Sequence, residues 1–408
     1  MSSDGAQWPI EPLGRLCRVS SGTTPSRAAG ARYFTHRGIP WVKTLDLNEG
    51  SLEATDESLT EVAVAEAGAR VYPAQSVLLA MYGGWEQIGR TAILAVPAAV
   101  NQAISVLEAG PQLEPRYLLL ALQHGRPRWS RYAASTRKDP NITKLDVLAF
   151  GVPVPPLPVQ RQIVEVIDSF TELGRGIEAS IAKLRSVRRG ALLTGLVSVA
   201  RVEPSPGWVR VPLKDVVPSA EYGISEALSR DAGGVPVLRM NNIRDGQVEV
   251  DELRYCPAPV SGRLLLRRDD VLFNRTNSID HVGKAAMWRD ELPSATFASY
   301  LVRLIPDLQR LTPEYLVEWL MHPLVRQRVR SISTVAVQQV NVNPSRLREL
   351  EIDLPVDLAE QRRIVATLEA CDEQIRHENE ELTKLRELKQ GLVDDLLSGQ
   401  VEVSAVAA

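Results

Sequence analysis

Apolar residues recur at heptad a and d spacing in two long segments of this 408-residue chain. The first seam consists of Ile163, Ile167, Phe170, Ile177, Ile181, Leu184 and Ala191. The second seam lies 201 residues further on in the same phase and consists of Ile364, Leu368, Cys371, Ile375, Leu382, Leu385 and Leu392. Because a heptad seam forms one apolar stripe along a helix, these segments predict two long helices that pair as a coiled coil.

The ends of both helices carry recognisable signals. Pro158 suits a first helical turn, Asp357 reads as an N-cap, and Gly195 and Gly399 mark the two C-terminal ends. The seams are interrupted at Gly174, Arg188, Glu378 and Lys389. On this pattern we place the helices at residues 158–197 and 355–408.

The repetition extends through the rest of the chain in the same order. The matched pairs are Gln160-Arg161-Gln162-Ile163-Val164 with Gln361-Arg362-Arg363-Ile364-Val365, Leu192-Leu193-Thr194-Gly195 with Leu396-Leu397-Ser398-Gly399, Gly38-Ile39-Pro40-Trp41-Val42-Lys43 with Gly234-Val235-Pro236-Val237-Leu238-Arg239, and Ile88-Gly89-Arg90 with Val282-Gly283-Lys284. Each half therefore consists of a globular domain followed by one long helix.

The globular domains combine short buried strands with short helices. Residues 77–80 and 271–274 read as strands, and residues 116–122 and 313–320 as helices. We predict an α/β (α+β) fold in which two mixed domains, 1–157 and 198–354, are joined by two long antiparallel coiled-coil helices in a pseudo-two-fold repeat.

The cysteine content and the lengths of the apolar runs indicate the cellular compartment of the protein. The chain contains only 3 cysteines, without a CxxC pair, and no secretory segment follows Met1. No apolar run reaches the roughly 18 residues of a membrane helix. These features predict a soluble cytoplasmic protein.

The formal net charge of -3 argues mildly against a DNA-binding chain. Basic and acidic residues are concentrated in separate stretches, however, so one chain can have basic DNA-binding faces and acidic partner-binding faces.

Two differing domains, each followed by a helix with a Pro-rich lead and Gln-Arg-(Gln/Arg)-Ile-Val, resemble the specificity subunit of type I restriction-modification enzymes. Similar pieces are Ser21-Gly22-Thr23-Thr24-Pro25-Ser26, Ile39-Pro40-Trp41-Val42-Lys43-Thr44-Leu45-Asp46-Leu47 and Ser135-Thr136-Arg137-Lys138-Asp139-Pro140-Asn141-Ile142. The resemblance implies a subunit that recognises an asymmetric, bipartite target in double-stranded DNA. It also implies docking of two modification (methyltransferase) subunits and of restriction (translocase and nuclease) subunits.

The same resemblance implies that catalysis belongs to the partners. S-adenosylmethionine, ATP and Mg²⁺ would bind to those subunits, and this chain would have no cofactor, metal or catalytic residue of its own. The sequence is consistent with this expectation, since it contains no G-x-x-x-x-G-K-[ST] phosphate loop, no Asn-Pro-Pro-Tyr motif and no H-E-x-x-H. Asn343-Pro344 is the nearest approach to a methylase motif, and we interpret it as a helix-capping turn.

Candidate DNA contacts fall into phosphate and base contacts. The phosphate candidates are Arg126, Arg128, Arg131, Arg137 and Lys138 in the first domain and Arg326, Arg328 and Arg330 in the second. Base readers are expected where the two halves differ between matched segments. Residues 81–87 and 275–281 are such stretches, since the segments on either side of them match. The base-reader candidates are Lys43, Arg239, Asn241, Asn242, Arg275, Asn277, Gln338, Gln339 and Asn341. Lys284 is a further candidate for DNA contact.

Simpler interpretations compete with these assignments. Basic clusters are often solvated helix surfaces, Asn is common in plain turns, and Trp85 is more readily a core residue than a stacking platform. The five histidines lack metal-ligand spacing. The main alternative function is a coiled-coil protein-interaction scaffold without DNA readout, which salt-sensitive, specific duplex binding would exclude.

Overall fold

A computed structural model describes residues 8–133, 141–244, 246–336 and 339–401 of the chain. It divides into two units. The first holds the residues up to Glu178 and those from Glu380 onward, and the second holds Ala179–Asn379. Each unit therefore combines one globular domain with one half of each long helix.

The first domain is built on two mixed sheets. Its strands are β1 (Ile10–Pro12), β2 (Cys17–Ser21), β3 (Phe34–Thr35), β4 (Ile39–Val42), β5 (Ser51–Leu52), β6 (Ser58–Leu59), β7 (Val71–Tyr72), β8 (Val77–Ala80), β9 (Thr91–Leu94), β10 (Ala98–Val100), β11 (Ile104–Ala109) and β12 (Gly151–Pro153). Its helices are α1 (Leu13–Leu16), α2 (Glu61–Ala67), α3 (Pro115–His124) and α4 (Lys144–Ala149). The sheet orders are β3-β6-β4-β10-β7 and β2-β11-β8-β9-β5, and β1 pairs with β12.

Strand β8 lies at the centre of this domain and is covered on both faces. Val77 and Leu79 pack into a core that also contains Tyr117 of α3, whereas Leu78 and Ala80 pack into a separate core formed with the other sheet. A strand that is buried on both faces reads as a continuous apolar run, as predicted for residues 77–80.

The two predicted long helices are present as α5 (Leu157–Gly195) and, in the second half of the chain, α9 (Leu358–Ser398). The second helix ends before Gly399, as the glycine signal indicates, and not at residue 408. The strands of the second domain are β13 (Trp208–Pro212), β14 (Ser219–Tyr222), β15 (Val235–Leu238), β16 (Ile243–Arg244), β17 (Gln247–Val248), β18 (Arg254–Cys256), β19 (Val271–Asn274), β20 (Thr276–Asn277), β21 (Ala285–Met287), β22 (Thr296–Phe297), β23 (Leu301–Ile305), β24 (Thr334–Ala336), β25 (Gln339–Asn341) and β26 (Glu351–Pro355). Its helices are α6 (Pro313–Met321), α7 (Pro323–Ser331) and α8 (Pro344–Arg348).

The second domain repeats the central sheet of the first. The order β14-β23-β19-β21 matches β2-β11-β8-β9, so β19 takes the place of β8. A further sheet, β20-β25-β24, lies beside it. The predicted capping turn at Asn343 is confirmed, because its side-chain oxygen accepts the Ser345 backbone N–H at 2.8 Å at the start of α8. In the described part of the chain, no helix is long and apolar enough to cross a membrane.

The polar positions that interrupt the heptad seams form hydrogen bonds across the helix pair. In the first unit, Lys389 Nζ donates to Thr171 Oγ1 at 2.8 Å. In the second unit, Ser180 Oγ donates to Glu378 Oε1 at 2.9 Å, and Arg188 is bonded to Asp372. In the first unit Thr171 and Glu178 contact Lys389 and Arg386, and in the second unit Ser180 and Arg188 contact Glu378 and Asp372. Residue numbers thus rise along one helix as they fall along the other. The helices are therefore antiparallel, as predicted.

The first glutamine of the repeated Gln-Arg-x-Ile-Val motif joins α5 to its domain. Gln160 is fully buried. Its side-chain oxygen accepts the Glu114 backbone N–H at 2.9 Å, and its amide nitrogen donates to the carbonyls of Gln112 at 3.0 Å and Pro155 at 2.8 Å. One side chain thus satisfies three backbone groups that would otherwise be buried without partners.

Gln361 makes the same three bonds in the second unit. Its oxygen accepts the Thr312 backbone N–H at 2.9 Å, and its nitrogen donates to the carbonyls of Arg310 at 2.8 Å and Pro355 at 2.9 Å. The motif therefore has a structural role, which is to fix the start of each long helix against the domain that precedes it.

His322 makes the stability of the second unit sensitive to pH. It is buried, and its Nδ1 accepts the Leu324 backbone N–H at 3.3 Å at the start of α7. Burial and then nearby Arg328 lower the pKa of this imidazole from its ordinary value. Because folding favours the neutral ring, its contribution to stability is present above about pH 6.5, the unfolded value, and is lost as pH falls.

We expect His322→Asn, which can cap α7 but does not titrate, to flatten this pH dependence. Denaturant unfolding at several pH values between about 7 and 5 should show the wild type losing more unfolding free energy than the variant. Parallel pH profiles for the two proteins would contradict this assignment.

Candidate nucleic-acid interface

Two matched loops follow the central strands of the two domains and have the same backbone hydrogen bonds. After β8, the N–H groups of Gln87 and Ile88 both donate to the Gly84 carbonyl, at 3.1 and 3.0 Å. After β19, the N–H groups of His281 and Val282 donate to the Ser278 carbonyl at 3.0 and 2.9 Å. We call residues 81–87 the first loop and residues 275–281 the second loop.

Each loop returns to its strand through a glycine in the left-handed region. Gly89 has φ of 75° and Gly283 has φ of 83°. Their N–H groups donate to the carbonyls of Ala80 at 3.0 Å and Asn274 at 2.8 Å. A β-carbon on Gly89 would also lie 2.5 Å from the Trp129 ring. Both domains therefore require glycine at this position, because the backbone that returns to the strand has a positive φ.

Arg126 and Arg326 hold the loops from the domain side. Arg126 Nη2 donates to the Glu86 carbonyl at 2.7 Å, and its Nε donates to the Ile88 carbonyl at 3.3 Å. Arg326 Nη2 donates to the Asp280 carbonyl at 2.6 Å and the Val282 carbonyl at 3.3 Å. Burial lowers the pKa of Arg326 from its ordinary value. Both arginines were predicted as phosphate contacts, but their guanidinium groups are committed to the loop backbone.

Arg128 in the first domain and Arg328 in the second also contact other residues of their own domains. The Arg128 guanidinium lies 4.5 Å from the centre of the Phe150 ring, and burial lowers the pKa of Arg128. Arg328 Nη2 donates to the Val199 carbonyl at 2.7 Å. Arg131 and Arg330, in contrast, are exposed and suit phosphate contact. The candidates Arg137 and Lys138 lie outside the described residues.

Several predicted base readers meet in one cleft of the second domain. The cleft has a volume of about 630 Å³. Its lining includes Arg239, Asn241, Asn242, Arg244, Glu249, Asp251, Glu252, Asn274, Asn277, Ser278, His281 and Lys284. The structure thus brings together candidates from three separate segments around 239–242, 277 and 284.

Asn242 is not available within this cleft, because its amide is used by the fold. It is buried, its oxygen accepts the Arg239 backbone N–H at 3.0 Å, and its nitrogen donates to the carbonyls of Glu249 at 2.8 Å and Asp251 at 2.9 Å. We therefore leave Asn242 out of the proposed base-reading set. Asn241 is exposed at the cleft and stays in it.

The cationic residues at the matched positions Lys43 and Arg239 are each held by their own domain. Lys43 Nζ lies 3.5 Å from Glu57 Oε2 and 5.9 Å from the centre of the Trp41 ring. Arg239 Nη2 donates to the Glu252 carbonyl at 2.8 Å. Burial, and then a neighbouring arginine, lower the pKa of Arg239.

Arg275 and Asn277, near the start of the second loop, already form hydrogen bonds within the domain. The Arg275 guanidinium donates to the carbonyls of Ser299 at 3.3 Å and Val342 at 3.4 Å and lies over the Tyr222 ring. Asn277 is half-buried in the cleft, where its side-chain oxygen accepts the Ser278 N–H at 2.8 Å.

The remaining candidates lie on or beside the hairpin of β24 and β25. The Asn341 side-chain oxygen accepts the hydroxyl of Thr276. Gln339 is exposed, and Gln338 lies outside the described residues.

Asn274 is a cleft residue that sequence reasoning missed. It is buried, and neither its side-chain oxygen nor its nitrogen has a hydrogen-bond partner among the described residues. Ala80 occupies the matched place at the end of β8. The change from alanine to asparagine at one position of an otherwise apolar, matched strand is a signal that could have identified it.

Trp85 was interpreted as a core residue, and this interpretation is wrong, because 55% of its surface is exposed. Positive φ angles at Gly83 (110°) and Gly84 (79°) turn the first loop away from the core. The core position beside Gly89 is instead occupied by Trp129, which is fully buried.

Comparisons with known proteins identify the family. A family model described as type I restriction modification DNA specificity domain matches residues 6–183 and again 206–387. The putative type I restriction enzyme MjaX specificity subunit of Methanocaldococcus jannaschii is 27% identical over 47% of this chain and 45% of its own length, so the match spans under half of that relative. The type I restriction enzyme EcoKI specificity subunit of Escherichia coli K12 is 20% identical over 97% of this chain and 89% of its own length.

Solved structures share the fold. A chain from a structure concerned with complex assembly and conformational transition of the type I R-M system aligns over 97% of this chain and 98% of that chain, with a TM-score of 0.63 and 20% identity. The HsdS subunit from Thermoanaerobacter tengcongensis aligns over 98% of both chains, with a TM-score of 0.51 and 20% identity. Because two copies of the family domain together match most of the sequence, one on each repeat, this chain belongs to the family of type I restriction-modification DNA specificity subunits.

Proposed function

We propose that this chain recognises DNA for a type I restriction-modification complex and that each domain reads one part of an asymmetric, bipartite target. One observation carries the proposal. The two loops share their turn, their closing glycine and their bracing arginine, yet their side chains differ. Two readers of unequal half-sites require this combination of a shared loop backbone with different side chains.

The chemistry of the second cleft supports base reading. Asn241 and Asn277 carry amides of the kind that pair with adenine edges, and Lys284 is a donor suited to guanine acceptors. The first loop offers different groups, Glu86 and Gln87 beside aromatic residues. The two domains should therefore read different bases.

Catalysis is assigned to the partners in this proposal. Methyltransferase subunits and restriction subunits would dock on this chain in the cytoplasm and supply S-adenosylmethionine, ATP and Mg²⁺ chemistry. The purified chain should accordingly neither methylate nor cleave DNA, and it should not hydrolyse ATP. Turnover of any of these by the isolated chain, absent from a mock purification, would contradict the assignment.

Duplex binding over a salt series separates this function from that of a protein-binding scaffold. We expect the full chain to prefer one duplex sequence and to lose affinity steeply as salt rises, since phosphate contacts release counterions. A fluorescence anisotropy titration against target and scrambled duplexes measures both effects. Equal, weak binding to the two duplexes would favour the scaffold.

Asn277→Ala tests the cleft as a base reader. If the amide contacts a base edge, the variant should weaken binding at the second half-site by about 1–3 kcal/mol and leave the first half-site unchanged. Binding to duplexes altered in one half-site at a time shows which half is affected. Glu226→Ala in the same domain, an exposed residue outside the cleft, is the control. A uniform loss on all sequences would remove Asn277 from the base-reading set.

A further inference from the structure

Each loop exposes a large apolar side chain at the same position of its turn, and the first loop also exposes Tyr82. Trp85 directly follows Gly84, and Ile279 directly follows Ser278, the residues whose carbonyls close the two turns. Trp85 is 55% exposed and Ile279 is 45% exposed. Single exposed apolar residues need no explanation. Two at one matched position, in loops that otherwise differ in sequence, indicate a shared task.

The backbone beside both side chains is fixed before any ligand binds. The residue after Trp85 is Glu86, and its carbonyl accepts from Arg126 at 2.7 Å. The residue after Ile279 is Asp280, and its carbonyl accepts from Arg326 at 2.6 Å. A loop backbone that is already held in place lowers the entropy cost of ordering the loop when its exposed side chain inserts into a partner.

The surroundings of these side chains favour a duplex over an apolar protein surface. Ile279 lies between Ser278 and Asp280, and Trp85 lies between Gly84 and Glu86, so neither belongs to a run of apolar residues along its loop. The second loop also borders the polar cleft that contains Lys284. Ile279, a single exposed apolar side chain beside these polar groups, resembles the apolar wedges that other DNA-binding proteins insert between base steps.

We propose that Trp85 and Ile279 are wedges that enter the base stack, one in each half of the target, and partly unstack one base step. This proposal rests on the proposed function, since it assumes that the loops face DNA. Unstacking costs least at pyrimidine–purine steps, so such a step should lie at each wedge. The wedges would then add sequence preference through DNA deformability, without hydrogen bonds to bases.

A base-stacking probe tests the wedges directly. The isolated full chain is bound to a duplex carrying its mapped methylation target, with 2-aminopurine replacing one purine at a time. We expect emission to rise at one step in each half-site. Trp85→Ala should abolish the rise in the first half only, and Ile279→Ala in the second half only. Trp85→Ala should also bind on the order of tenfold or more weakly, the scale of losing one aromatic stack.

Conservative and control variants separate a wedge from a folding effect. Trp85→Phe and Ile279→Leu should restore both emission and affinity. Ile10→Ala and Leu308→Ala, which remove exposed apolar side chains outside the loops, should behave as wild type.

Specific binding by the wild type without any emission change, or wild-type affinity and emission in both alanine variants, would overturn the wedges and leave the proposed function intact. A wild-type chain that prefers no duplex would overturn both.

Discussion

Replacing Arg326 with alanine should abolish discrimination at the second half-site while leaving recognition of the first half-site intact. The guanidinium donates to two carbonyls of the turn, those of Asp280 and Val282, so its loss frees the loop that carries Asn277 and Ile279. We expect specific affinity to fall on the order of tenfold to a hundredfold, the scale of one or two lost base contacts. Arg126→Ala should have the matching effect on the first half-site.

The salt dependence of binding separates this bracing role from phosphate contact. A lost phosphate contact lowers the slope of log K against log salt by about 1 and weakens all sequences equally. Arg326→Ala should keep the wild-type slope, whereas Arg330→Ala, at an exposed position of the same helix, should lower it. A reduced slope together with uniform weakening in Arg326→Ala would show that this arginine binds phosphate after all.

Gln160→Ala should be among the most destabilising single substitutions in the first unit. It removes three hydrogen bonds from a fully buried position and leaves one backbone N–H and two carbonyls without their partner. Each buried group that is left unsatisfied in this way costs about 1–3 kcal/mol of unfolding free energy. Urea denaturation measures the loss.

Gln162 provides a matched control on the same helix. It is exposed, so Gln162→Ala should change the unfolding free energy by less than about 0.5 kcal/mol. Gln361→Ala should reproduce the effect of Gln160→Ala in the second unit, because its three bonds are the same. Equal stability of Gln160→Ala and Gln162→Ala would mean that water replaces the buried bonds.

Periodicity was sufficient to predict the long helices, the central strands and the duplication. The heptad seams repeat over many residues, and β8 and β19 are covered on both faces, so their apolar patterns reflect burial directly. The helix end at Gly399, where φ is 76°, and the Asn343 turn depend on local backbone chemistry, which short sequence signals report well.

The roles of individual polar residues were not predictable in the same way. Arg126 and Arg326 belong to basic clusters, and only the fold reveals that carbonyls of a distant loop occupy them. Asn242 looks like an open turn residue, but its amide holds the backbone of residues 249 and 251. Such long-range pairings leave no periodic trace in the sequence.

The prediction that Trp85 is a core residue was wrong for a related reason. Hydrophobicity alone favours burial, whereas two consecutive left-handed glycines turn this segment outward. Ile279 is exposed at the matched position because both loops form the same turn, and that turn is visible only in the three-dimensional structure.

Methylation-sensitive sequencing of DNA from cells that express this chain with its modification subunits tests the central claim most directly. The account predicts adenine methylation at one asymmetric sequence made of two specified parts, separated by an unspecified spacer. It also predicts that Asn277→Ala relaxes only one of those parts. Methylation at a continuous sequence or a perfect palindrome, or methylation that does not depend on this chain, would contradict the assignment of two unequal readers.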